Sequence, residues 1–144
     1  MEASRSREAD IAPFDDPDDA RADLIDGAIG ELSLFHDTLG YYAQSVPVWT
    51  ALLPEGWRDR VVIFDTPGTA PGRGLCLEPH DCVLSKLVAG QEMDIEFASA
   101  LIREGLVDPA VLLARIGLFD SVDPRVRDRL AAWVAAHAAS EAAG

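Results

Sequence analysis

The chain has 144 residues, 49% of them hydrophobic, enough to bury one core and too few for two of ordinary size. Its 25 acidic residues against 12 basic ones give a formal net charge of -13, which excludes a broad, sequence-blind contact with a phosphate backbone. A compact nucleotide is compatible with that charge, because one bound Mg²⁺ screens local carboxylates whatever the total.

We expect one soluble domain over 1–144, with 1–7 and 138–144 flexible. The two cysteines, Cys76 and Cys82, form no Cys-x-x-Cys pair and read as reduced, packed thiols. The polar run from Met1 to Asp10 is no signal segment, and no apolar run is long enough to cross a bilayer. No membrane contact is expected, and the cytoplasm is the default location.

In chain order, Glu8-Ala9-Asp10-Ile11-Ala12 alternates like a strand and puts Glu8 and Asp10 on one face, about 6 to 7 Å apart. Two carboxylates so placed repel unless solvated or bridged by a cation; an exposed edge strand with its charges in water is the plainer alternative. Phe14 to Asp19 suits a turn that starts a helix at Asp18 or Asp19. That helix is expected to reach Ile29, with Leu24, Ile25 and Ala28 as its apolar stripe and Gly27 and Gly30 weakening or ending it. Glu31 to Gln44 has no clean period and reads as irregular, with some strand near Tyr42. His36, within it, has no second histidine or cysteine at ligand spacing and reads as structural.

Val48 to Leu53 reads as a short strand or helix, and Pro54-Glu55-Gly56 as a turn. Arg60 to Asp65 is the best strand, and its four consecutive apolar residues suggest cover on both faces. Thr66 to Gly74 then reads as a hairpin loop leading to a strand at Gly74 to Leu77. It lacks the Gly-Lys-Ser/Thr ending of a phosphate-cradling loop and opens no helix. Glu78-Pro79 starts a helix that Gly90 closes. From Gln91 to Arg103, helical spacing gathers Ile95, Phe97, Ala98, Leu101 and Ile102 on one face, with Asp94 near its middle. A carboxylate there needs a partner, and Lys86 on the preceding helix can reach it. Asp108-Pro109 and Ser121-Val122-Asp123-Pro124 repeat one device, an aspartate cap before a proline, and start two more helices. Trp133 is most simply core.

Leu77-Glu78-Pro79-His80-Asp81, Ser85-Lys86-Leu87-Val88-Ala89-Gly90 and Asp94-Ile95-Glu96-Phe97 together resemble the carboxy-terminal signature of bacterial nucleotidyltransferase-like proteins related to AbiEii-type abortive-infection toxins. Ile25-Asp26-Gly27, Ile29-Gly30-Glu31, Phe35-His36 and Gly40-Tyr41-Tyr42-Ala43 resemble it too, so that the likeness spans Ser6 to about Ile116. The resemblance implies an α+β chain with a partial nucleotidyltransferase-like fold, a small mixed β-sheet followed by a carboxy-terminal helical half. It implies Mg²⁺ as cofactor and a nucleoside triphosphate as substrate, the nucleotide passing to a protein or RNA hydroxyl. A hydroxyl residue two before an acidic-x-acidic pair marks the metal site of that family, and Ser6-Arg7-Glu8-Ala9-Asp10 matches it. Glu8 and Asp10 are then metal ligands, with Asp65 the candidate third, and Lys86 and Asp94 the candidate catalytic pair.

Two departures stand against catalysis. The family fold opens with a helix bearing Gly-Ser against the phosphates, and this chain contains no Gly-Ser dipeptide. Where relatives carry Arg-Glu-Lys-Asp, this chain reads Gln91-Glu92-Met93-Asp94, two cations fewer for a site that handles phosphates. The other function class is therefore a non-catalytic module that keeps the scaffold and binds a partner protein through its acidic surface or its helical half.

Overall fold

The computed structural model describes residues 6–142, and the chain divides into two compact units, Met1–Ala51 and Leu52–Gly144. The expectation of loose ends falls partly outside the described residues. Inside them the alanine-rich tail continues the last helix to Ala142, as its high helix propensity favours. The class is α+β, but the strands form two separate two-stranded sheets instead of one small mixed sheet.

In the first unit, β1 (Glu8–Ile11) and β2 (Tyr42–Ser45) pair in parallel, joined by α1 (Ala20–Ile29) and α2 (Leu34–Leu39). The register sets Glu8 beside Tyr42, Ala9 beside Ala43, Asp10 beside Gln44 and Ile11 beside Ser45. Strand alternation therefore gives one polar face, Glu8, Asp10, Tyr42 and Gln44, and one face of smaller side chains on which Ala43 is buried. Asp26 of α1 reaches β2 from outside the pair: its carboxylate accepts the Ser45 N–H and the Ser45 Oγ–H, each at 2.7 Å. On β1, Ser6 Oγ donates to the Glu8 carbonyl at 3.0 Å and accepts the Glu8 N–H at 3.1 Å.

The start of α1 differs from expectation in its cap. Asp19 sits at the N-cap in the left-handed region and makes no side-chain cap bond. Asp16 does this work, accepting the N–H groups of Arg21 and Ala22. The expected apolar stripe is not buried either, since Leu24 is 71% exposed. A helix lying on only two short strands has little to cover its apolar side. The segment read as irregular holds α2, capped by Ser33, whose Oγ accepts the His36 N–H, and closed by Gly40 in the left-handed conformation.

Short 3₁₀ turns at Val48–Thr50 and Trp57–Arg60 lie on either side of the boundary, and the second unit then forms an antiparallel hairpin, β3 (Val62–Phe64) and β4 (Gly74–Cys76). Contrary to the expected double cover, Val62, Ile63, Phe64 and Leu75 are each about half exposed, and Cys76 is exposed too, not packed. The apolar run is long enough for a buried strand, but the hairpin has only two strands among the described residues, and the side chains on both its faces stay about half exposed.

Four helices hold the core: α3 (Pro79–Ala89), α4 (Glu92–Arg103), α5 (Pro109–Ile116) and α6 (Pro124–Ala142). Val83, Leu84 and Leu87 of α3 meet Ala98 and Ile102 of α4, Leu112 and Ile116 of α5 and Leu130 and Val134 of α6. Each start follows its local chemistry. Glu78, Asp108 and Asp123 accept N–H bonds from the first turns they precede, and a proline follows each one. Trp133 is half-buried against this core and stacks on His137 with ring centroids 3.7 Å apart.

Candidate functional site

The acidic face of β1 is the first place to look for chemistry. Glu8 and Asp10 are both exposed and point the same way from one strand. Across the pair, Tyr42 Oη donates to Glu8 Oε2 at 3.1 Å. Partial burial pushes the Tyr42 phenol above its ordinary value, and the Glu8 hydrogen bond with the charges of Glu8, Glu31 and Asp10 pushes the same way. The phenol thus stays protonated and donating. Behind it lies His36, whose ring centroid is 4.7 Å from that of Tyr42. Its Nδ1 accepts the Leu32 N–H at 3.1 Å, so the neutral ring carries its proton on Nε2.

The other sequence-derived candidates lie in the second unit. Asp65 follows β3 and pairs with Arg73 Nε at 3.1 Å, both well exposed. Lys86 Nζ is 3.4 Å from Asp94 Oδ1, with Asp94 largely shielded and Lys86 42% exposed. The expected partner is therefore the partner found. Asp94 also accepts the Gln91 N–H at 3.3 Å, which ties it to the start of α4, and Lys86 lies 5.6 Å from the Phe97 ring centroid. Beside them, burial pushes the Cys82 thiol up, which suits a packed and unreactive group. Glu8 and Asp10 come together on one strand and Lys86 and Asp94 across one helical hairpin. Among the described residues, no three His, Cys, Asp or Glu side chains converge as a metal held by protein ligands alone requires.

Sequence reasoning missed the densest polar cluster. Asp81, in the first turn of α3, is fully buried and takes Arg60 on both oxygens, at 2.8 and 3.2 Å, and Arg115 Nη1 at 3.0 Å. The same Arg115 Nη1 bonds to Glu78. Glu78 also takes His80 Nδ1 at 2.6 Å, and His80 Nε2 accepts the Asp108 N–H at 2.8 Å. Burial pushes the Glu78 carboxyl up, but the hydrogen bonds of His80 and Arg115 and the charge of Arg115 outweigh it and hold the group below the usual range. No buried side-chain polar atom among the described residues lacks a partner. The cluster binds the start of α3 to α5 and to the turn before β3. A signal for it existed: Asp81 stands three residues before Leu84 on the apolar stripe of α3, where a carboxylate must be paired.

No family model, curated protein or solved structure matches the chain, and no helix of the described residues is long and apolar enough to cross a membrane.

Proposed function

We propose that the chain is a nucleotidyltransferase-like protein whose first unit binds a nucleoside triphosphate through a Mg²⁺ ion at Glu8 and Asp10. One observation carries this reading: two carboxylates project from the same open face of β1, beside a hydroxyl that leaves their charge intact. The donor set fits the ion. Mg²⁺ prefers oxygen and is commonly held by one or two carboxylates, with substrate phosphates and water completing its shell, so a third protein ligand is not needed. Bound there, the ion would orient the triphosphate and offset charge on the transferring phosphoryl group. Glu8 and Asp10 hold the ion, and the net charge of -13 leaves a phosphate ligand little other attraction. Lys86 and Asp94 are assigned to holding the α3–α4 hairpin, because each already occupies the other.

The test is calorimetric titration of Mg-ATP into the wild type and Asp10→Ala. Binding to the wild type that falls at least tenfold in the variant is expected; no binding to the wild type removes the reading.

A second reading has its own observation. Val62, Ile63, Phe64 and Leu75 leave the β3–β4 hairpin apolar and open on both faces, a surface suited to a partner protein. A non-catalytic interaction module would use that surface and would bind no nucleotide.

A further inference from the structure

We propose that α2 and the turn before it form a docking surface for a basic, apolar-striped segment of a partner protein, with Leu32, Leu34 and Leu39 as its anchors. The inference is independent of the reading of Glu8 and Asp10. Helix α2 is turned inside out. At 100° steps Leu34, Thr38, Phe35 and Leu39 fill one arc of about 140°, and His36 stands outside it. His36 is the one half-buried residue of this helix: its ring lies against Tyr42, and its Nδ1 takes the Leu32 N–H. The apolar arc faces water instead, with Leu34 82%, Leu39 54% and Phe35 37% exposed. Thr38 adds little polarity to it, since its hydroxyl is spent on the Leu34 carbonyl at 2.7 Å.

The backbone keeps another leucine there at a cost. Leu32 is 90% exposed and sits at φ 66°, the left-handed region that a residue with a Cβ enters only with strain. The turn is held by the bond to His36, by Ser33 Oγ accepting the His36 N–H, and by the Ser33 N–H on the Gly30 carbonyl at 3.2 Å. Such strain persists only where the surroundings enforce it, and it clusters at binding and switch segments. Charge then selects the occupant. Glu31 and Asp37, both exposed, bracket the leucines, and residues 15–37 carry eight acidic side chains against one cation, Arg21. A second copy would set like charge on like, whereas lysines or arginines beside an apolar stripe meet both features at once.

The experiment follows a fluorescein-labelled peptide of about 14 residues, with leucine at i, i+3, i+4 and i+7 and lysine between, by anisotropy against the full chain. Leu34→Ser/Leu39→Ser and Leu32→Gly are compared with the wild type. The peptide is expected to bind the wild type, and to bind each variant about 10-fold or more weakly. The same peptide with glutamate for lysine is expected to bind the wild type at least tenfold more weakly. Folding is read separately. Because the replaced leucines are solvated, amide spectra of the β1–β2 pair are expected to stay unchanged, and Leu32→Gly, which relieves the strain at φ 66°, keeps or raises the urea midpoint. Equal binding by wild type and variants, or none by the wild type, overturns the surface. Changed amide spectra or a lowered midpoint would show the leucines packed within the chain and overturn it too. Equal binding of the two peptides overturns the basic partner, as do dimers in sedimentation that dissociate on Leu34→Ser/Leu39→Ser, which make a second copy the occupant.

Discussion

Removing the side chain of Asp81 leaves two guanidiniums, those of Arg60 and Arg115, without the carboxylate they share. Breaking a buried ion pair from one side typically costs about 3 to 5 kcal/mol, most of it the penalty of the stranded charge. Asp81→Ala is therefore expected to destabilise the second unit by about that amount in urea unfolding; a loss under about 1 kcal/mol would show that water reaches the site. The contrast with Asp94 shows what a sequence reveals about single residues. Asp94 lies eight positions from Lys86 on the adjoining helix of a hairpin, so local geometry sufficed to pair them. The partners of Asp81 stand 21 positions before it and 34 after, and only the tertiary fold brings them together. Tyr42 was hidden from sequence reading for the same reason, since its bond to Glu8 spans 34 positions and depends on the register of a parallel pair.

Elements whose ends are set by neighbouring residues were legible. Glu78-Pro79, Asp108-Pro109 and Asp123-Pro124 each state a helix start, and Gly90, at φ 70°, states an end because only a residue without a Cβ turns there cheaply. Helix α2 was missed although Ser33 and Gly40 frame it, because six residues are too few to show a helical period. Strand β3 was found but misjudged, since an apolar run reports what could be buried and not whether a layer exists to bury it. Substitution tests that distinction: replacing Ile63 and Leu75 together by threonine is expected to change unfolding free energy by no more than about 0.5 kcal/mol, as for surface sites. The same change should lower light scattering in concentrated solution by removing exposed apolar area. A large loss of stability would place the hairpin in the core after all.

Across the whole molecule, the buried apolar cluster belongs to the second unit, and its acid response follows from how that unit is clamped. The folded Glu78 carboxyl lies below its ordinary value of 4.5, so the folded state binds fewer protons there than the unfolded chain. Its contribution to stability is fully present above 4.5 and is lost as the pH falls through the lower folded value. Urea unfolding of the wild type and Glu78→Gln at a series of pH values should show the wild type ahead at neutrality and the gap closing in acid; a gap independent of pH would remove Glu78 from the acid response. The first unit, with β1 wholly exposed and Ala43 the buried residue of β2, faces another hazard. The backbone bonds across the pair use Arg7, just before β1, and Ile11 at its end, so Glu8 turns its own peptide groups outward, and Ser45 does likewise on β2. Those outward groups are the ones that Ser6 and Asp26 occupy. The two side chains act as stoppers, denying a passing strand the hydrogen bonds by which a short bare sheet would otherwise grow from molecule to molecule.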